Sequence, residues 1–457
     1  MLASIGQRLS AFFRATAPDP FVLAVLLTVL TFVLAVTMTD TTPAALVDSW
    51  ASDEGLWKFL GFSMQMCLIL VTGHALASSP PVSRVLAKLA ATPKSAPQAA
   101  ALVALVAALL GVLNWGLGLV GGALIARDVG RSLEKRRIPA HYPLLAASGY
   151  VGLLIWHGGF SGTAPLKVST RAEIQDILTG VTLDPIGLDQ TVLSPLNLLV
   201  TGGLICIAPI VMAMLTPKNP ERMEPASRFR AGDEHEPTRD PDDKKPTIPR
   251  LLEDTPIVSI LLVALIAVWS WRYYLPAEGR SGVYSLTPNT VNLTMLMLGL
   301  LLHGTPMRYV RAVETAARGC AGIILQFPLY AGIMGMMHAS GLTEMISRTL
   351  SDVASETTLP LYTFASAGIV NFFVPSGGGQ WGVQGPIAIR SAIDAGVPIP
   401  KIVMSVAYGD QLTNMLQPFW ALPLLAITGA RARDIVGYTA LLMLIAGAWI
   451  VACLLLF

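Results

Sequence analysis

Charge is what this sequence has least of. Only 13% of its 457 residues are Asp, Glu, Lys or Arg, against 53% that are hydrophobic, whereas a soluble domain carries nearer ~25% charged residues. That shortage excludes an ordinary soluble globular protein. The net charge of +2 says little, because in a membrane protein the distribution of charge matters more than its sum. Nucleic acid is not an expected partner. Cysteine is scarce as well. Cys67, Cys206, Cys320 and Cys453 all lie in apolar segments without metal-ligand spacing and read as buried thiols. No nucleotide-binding loop, metal-ligand pair or nucleophile–base arrangement stands out, so an enzyme, a cofactor protein and an ATP-driven pump are all disfavoured. The first apolar run, from Phe21 to Thr39, is long and lacks a small-residue cleavage site, unlike a removable signal.

What the chain has instead is apolar runs. They fall at 20–39, 57–79, 98–126, 143–165, 193–216, 255–275, 287–303, 319–340, 359–395, 401–427 and 434–457. Most match the roughly 17 to 25 residues that cross a bilayer as a helix. The fold class is therefore an all-α polytopic membrane protein. Two runs, 98–126 and 359–395, are too long for one helix and break in the middle, at "NWGLGLVGG" and "NFFVPSGGGQWGVQGP". The one long polar insert, 217–250, holds eight Lys/Arg and eight Asp/Glu and reads as a flexible linker. "SIGQRLSAFFRA" near the N-terminus reads as a short amphipathic surface helix.

Loop charge sets the orientation. Loops 80–97, 127–141 and 304–318 are basic, while 40–58, 166–192 and 341–358 are acidic on balance. The positive-inside rule places the first group in the cytoplasm. The N-terminus and the 217–250 insert then fall inside and the C-terminus outside. This works only if 98–126 and 359–395 each enter and leave on one side, as re-entrant hairpins, which is tolerated only within protein or around a watery cavity.

The breaks also belong to a repeat. Tyr150 follows Asn114 by 36 residues and Tyr408 follows Asn371 by 37; Pro165 and Pro423 each come 15 residues later. The loop charges give the two halves opposite senses. The expected organisation is a first repeat over 1–216, a polar linker and connecting span over 217–286, and an inverted second repeat over 287–457. Inverted repeats with paired broken helices are the construction of secondary transporters, with the site near the midplane.

The chemistry of the breaks follows. Glycines 377, 378 and 379 permit the left-handed backbone of an anion-binding nest, and a helix starting there points its positive end at the same place. Ser376 and Gln380 add donors, Asn371 assists, and Trp381 and Gln384 follow on. The other break offers Asn114, Trp115 and Gly116. "YGDQLTNMLQPFW" carries Asp410, the one acid inside segment 401–427. A charge at that depth is costly and is a functional hypothesis by default. Asp410 could carry a proton, ligate Na⁺ or pair with a buried cation, with Gln411 and Asn414 beside it. The corresponding stretch of the first half has Gly152 in that place and offers His157 and Ser161.

"QMCLILVTGHALASS", "VNFFVPSGGGQWGVQGP", "AYGDQLTNMLQPFWALPLLAI" and "NTVNLTMLMLGLLLH" resemble the short-chain fatty acid transporter family, the acetoacetate/butyrate uptake carriers of bacteria, over nearly the whole chain. The resemblance implies an inner-membrane carrier of small monocarboxylates, a dimerising scaffold and an elevator motion. It also implies glutamate where Asp410 stands, so this chain keeps the acid one methylene shorter. The Ser-Asn-Thr sodium motifs of the wider superfamily's dicarboxylate carriers are absent, which favours H⁺ over Na⁺. The expectation is a homodimeric proton symporter of short-chain fatty acids. A sodium-coupled carrier, an exchanger and, more distantly, an anion channel are its rivals.

Overall fold

The computed structural model describes residues 2–16, 18–169, 171, 174, 183–229, 248–275, 287–351 and 355–457. Among them are many helices and no strand. Eight helical runs are long and apolar enough to cross a bilayer.

Both breaks fall where composition puts them. Ala96–Leu113 ends at Asn114, whose backbone is extended (φ −160°, ψ 135°), and Trp115–Lys135 starts at the next residue. The arms fold back on each other. A Cβ on Gly118 would stand 2.7 Å from the Gly111 Cα, and one on Gly122 would stand 2.9 Å from the Ala107 Cβ. Partners that descend one arm as they climb the other define an antiparallel pair. The second break separates Leu359–Phe373 from Gly377–Asp394. Gln380 Nε2 donates to the Ala367 carbonyl at 2.9 Å, and Gln384 Nε2 donates to Ser366 Oγ at 2.8 Å, again across antiparallel arms.

Each first arm also lies along a broken span. The span Tyr142–Lys167 changes to a 3₁₀ turn at Trp156–Gly158 before its last short helix, Thr163–Lys167. The span 399–428 does the same at Asn414–Leu416, between Ile399–Thr413 and Pro418–Thr428. Gly111 meets Gly152 and Val112 meets Gly159, while Ala367 meets Gly409 and Gly368 meets Thr413. Here the partners advance together, so arm and span run parallel in both halves. The seams are backbone on backbone. A Cβ on Gly111 would stand 2.5 Å from the Gly152 oxygen and one on Gly409 2.2 Å from the Phe364 oxygen; in the first half the second arm meets the span as well, with a Cβ on Gly122 2.1 Å from the Gly149 oxygen. Small residues at such crossings let helices approach to contact.

The loops gather at two ends. At one, Arg136 donates to the carbonyls of Ala91 (2.9 Å) and Pro93 (2.7 Å), the Ser227 amide to Glu134 (3.0 Å) and the Tyr142 amide to the Glu224 carbonyl (2.8 Å). At the other, Ser49 Oγ donates to the Gly335 carbonyl at 3.1 Å, and Gly332 packs on Trp50. The helix Leu342–Ser351 touches both arms of the second hairpin.

The polar insert needs correction. Residues 217–229 are docked rather than free, through short turns at Pro220–Arg222 and Ala226–Phe229 and the bonds just named. The remainder of the insert, 230–247, and the end of the connecting region, 276–286, lie outside the described residues. The N-terminal segment is the helix Leu2–Thr16, packed on the final helix Ala432–Leu456, with Gly437 against Ser10. Arg14 pairs with Glu224 and, at 3.0 Å, with Asp434. His141 is buried between Glu224 and Tyr438, and its Nδ1 accepts the Glu224 amide at 3.2 Å. Burial pushes this imidazole down to about 4, and Arg14 adds to the effect against the opposing Glu224 charge.

Two outcomes are expected. Unfolded histidine titrates near ~6.5, so the depressed folded value means that stability is complete above that pH and is lost as pH falls toward 4. His141→Asn keeps an acceptor for the Glu224 amide without titrating. It should flatten the dependence of melting temperature on pH between those values, and an unchanged slope would show that His141 does not set it. Gly122→Ala forces the Gly149 backbone away and should destabilise by about 1–3 kcal/mol, read as a lower melting temperature of the purified protein; a wild-type melt would mean that the seam has slack.

Candidate functional site

The two breaks treat their backbone amides differently. At the first, Asn114 Oδ1 accepts from the amides of Gly116 (2.9 Å) and Leu117 (3.3 Å), and the Trp115 amide donates to Ser161 Oγ at 3.0 Å. The three leading donors of Trp115–Lys135 are thus satisfied by side chains. Asn114 and Ser161 act there as caps, the preferred chemistry for the orphan amides of a helix start. The Trp115 ring joins Phe62 and Trp420 in an aromatic cluster, with centroids 6.3 and 5.2 Å away.

At the second break, Ser376 Oγ accepts only the Gly379 amide, at 3.2 Å, and its carbonyl takes the Gln380 amide at 2.8 Å. The amides of Gly377 and Gly378 have no acceptor among the described residues. The expected left-handed nest is not what presents them. None of the three glycines has a positive φ; they form the first turn of Gly377–Asp394. The site is a helix N-terminus, with partial positive charge and free N–H groups at one place. Glycine matters here for space. Gly378 and Gly382 face open room, Gly377 lies against Trp156 and Thr163, and Gly379 lies against Met334.

Gln380, Trp381 and Gln384 do not reach that opening. All three are buried, and the two glutamines lace the hairpin arms together, with Gln380 Nε2 also 2.9 Å from Gln384 Oε1. The Trp381 ring is packed under Gly385.

The two broken spans cross at Asp410 and Gln411. Gln411 Oε1 accepts the amides of His157 (3.2 Å) and Gly158 (3.1 Å). His157 Nε2 accepts the Ala164 amide at 3.0 Å, which assigns the ring proton of the neutral form to Nδ1. Nδ1 faces Asp410 Oδ1 at 3.4 Å. His157 and Asp410 are each 1% exposed. The His157 ring stacks on Trp156 (4.3 Å between centroids), the same ring that touches Gly377. A continuous contact thus joins the free amides to the titratable pair: Gly377, Trp156, His157, Asp410. Residues 156–163 also tie the breaks together, since Ser161 caps the first and Thr163 meets the second.

Asn371 and Asn414 form a second polar group on the other side of Asp410. Asn371 Nδ2 lies within 3.0 Å of the Asp410 carbonyl, Thr413 Oγ1 and Asn414 Oδ1, while Gln417 Nε2 donates to the Asn371 carbonyl at 2.6 Å. Asn114 caps a helix, whereas Asn371, its expected counterpart, lies inside one.

Trp156 and Asn197 were not singled out by sequence. Asn197 donates to the carbonyls of Gly158 (2.8 Å) and Val192 (2.7 Å) and accepts from Tyr408 and Thr201. It clamps the Trp156–Gly158 turn to both halves. The available signal was its standing as the one amide side chain in apolar segment 193–216. Trp156 gives no such signal, because a tryptophan in a span is ordinarily packing.

Bilayer-spanning helices interrupted at mid-length, with unsatisfied amides and a buried ionisable pair brought together, define a membrane transporter rather than an enzyme. The chain belongs to the short chain fatty acid transporter family, whose model matches residues 1–457. A protein of Escherichia coli (strain K12) named for short-chain fatty acid transport is 42% identical over 458 residues, covering 100% of both chains. One of Haemophilus influenzae with the same naming is 39% identical over 442 residues, covering 96% of each. Among solved structures, the Alcanivorax borkumensis YdaH transporter aligns over 96% of this chain and 97% of its own at TM-score 0.38 and 16% identity. The Neisseria gonorrhoeae efflux pump MtrF aligns over 97% of each at 0.41 and 15%. Likeness at that level carries no argument about mechanism.

Gln411→Met would leave the His157 and Gly158 amides buried without an acceptor. The expected cost is about 1–3 kcal/mol, with a lowered melting temperature in purified protein. A melt equal to wild type would mean that the crossing does not depend on this amide.

Proposed function

We propose that this chain is a proton symporter that takes up short-chain fatty acids such as butyrate or acetoacetate across the inner membrane. The observation that carries the proposal is the buried His157–Asp410 pair, linked through Trp156 to the free amides of Gly377 and Gly378. A monocarboxylate seated on those amides, with Thr163 and Ser376 at its edge, meets the positive end of a helix. Among the described residues, the side chains against Gly377 are Trp156 and Thr163, neither of them charged, so a bound anion gains from a neutralising charge close by. A proton taken by the His157–Asp410 pair supplies it. Burying an unpaired charge is very costly, so proton and carboxylate each favour the binding of the other.

The halves are read as inverted repeats. Arg136, just past the end of the first hairpin, bonds Ala91 and Pro93 just before its start, among the basic loops, whereas Leu342–Ser351 packs on both arms of the second, which supports hairpins entering from opposite faces. An elevator motion is the mode of transport we assign. The N-terminus and the 217–250 insert are assigned to the cytoplasm, the C-terminus to the periplasm, and two copies to the working unit.

A sodium-coupled carrier is the second reading. The Asp410 carbonyl, Thr413 Oγ1 and Asn414 Oδ1 converge on one point, now filled by Asn371 Nδ2, and such hard oxygens suit Na⁺.

Labelled butyrate uptake into proteoliposomes separates the readings. An inward proton gradient should drive accumulation, a sodium gradient should not, and Asp410→Asn should abolish proton-driven accumulation. Accumulation driven by sodium alone would transfer coupling to the oxygen cluster. No accumulation under either gradient would overturn symport in favour of exchange or a channel.

A further inference from the structure

A cavity of about 310 Å³ lies between the end of the N-terminal helix, the start of the helix Pro20–Met38, the 415–421 link of the second broken span and the first turns of the final helix. Its inner end reaches Tyr150, Phe372 and Gln417; its outer end holds Arg433. Phe372 directly precedes the second break, and Gln417 holds the carbonyl of Asn371, so the cavity runs from beside the break to the end of the bundle where the basic loops gather.

Its polar lining is nearly all engaged. The Tyr150 hydroxyl donates to the Gln417 carbonyl (3.1 Å), the Gln417 amide to Asn371, the Thr439 hydroxyl to Met415 and the Thr16 hydroxyl to Phe12 (2.8 Å). The neighbouring Asp434 is held by Arg14 and by the Arg431 amide at 3.0 Å. Arg433 has no carboxylate partner among the described residues, and the remaining walls are apolar, from Leu23, Leu416, Ile435 and Val436.

We propose that this cavity is a second carboxylate site, in which a short-chain fatty acid rests with its carboxylate on Arg433 and its alkyl chain against Phe372 and Leu416. It takes its substrate class from the function proposed above. One guanidinium matches one carboxylate in charge and in the geometry of a forked hydrogen bond. The apolar remainder excludes a dicarboxylate, whose second charge would be buried without a partner. The volume falls at the small end of ligand pockets and exceeds what a four-carbon acid fills, so the site tolerates longer chains. Placed between the break and the basic end, it is a staging point on the way out of the midplane site.

The test is equilibrium dialysis of the purified full-length protein with labelled butyrate, counting molecules bound per chain. Wild type should bind two. Arg433→Gln should weaken one of them by about tenfold or more, as loss of a charge-assisted pair does, and Arg433→Lys should restore it in part. Val436→Trp fills the cavity without touching the charge and should remove the same equivalent. Melting curves and size-exclusion profiles establish that each variant folds. A single equivalent in wild type, unchanged by Arg433→Gln and Val436→Trp, overturns the second site and leaves the transport reading intact. No butyrate bound at all overturns that reading and this site with it.

Discussion

A backbone amide at mid-membrane depth has no water to turn to, and this architecture follows from where such amides find partners. Helices satisfy nearly all of them. Where the chain breaks, the leading amides of the next helix must be capped by side chains or left for a ligand. The first hairpin takes the former course, with Asn114 and Ser161 as acceptors. The second takes it only in part, since Ser376 caps Gly379 and leaves Gly377 and Gly378 open. The two breaks thus have unequal chemistry, one closed by side chains and the other partly open among the described residues.

The crossing of the broken spans depends on the same rule. Residues 156–158 pass from α-helix to a 3₁₀ turn and free amides that donate to Gln411 and a carbonyl that accepts from Asn197. Each amide side chain reaches the turn from another span. The turn holds His157 in one tautomer, aimed at Asp410, through the bond from Ala164. Removing the break would also remove the orientation of the titratable pair, so the irregular backbone and the ionisable chemistry are a single construction.

Much of this was legible in sequence, for physical reasons. Hydrocarbon thickness fixes helix length, so the spans and the two overlong runs could be read from apolar residues alone. The cost of a buried charge made Asp410 conspicuous. What could not be read depends on direction rather than composition. Three consecutive glycines suggest left-handed backbone, yet here they make an ordinary helical turn and serve by leaving room. Gln380 and Gln384 stand beside the break in sequence, but helical periodicity turns them into the hairpin seam. The docking of 217–229 was hidden because its composition is that of a linker, while its bonds, the Arg14–Glu224 ion pair apart, run through its backbone amides and a carbonyl, to which every sequence has equal access.

The glycine seams have a mechanical consequence. Gly122 and Gly149 meet carbonyl to Cα, as do Gly409 and Phe364, with no side chain between them to act as a bearing. A residue larger than glycine has no room there, so each hairpin is seated backbone to backbone on its own broken span.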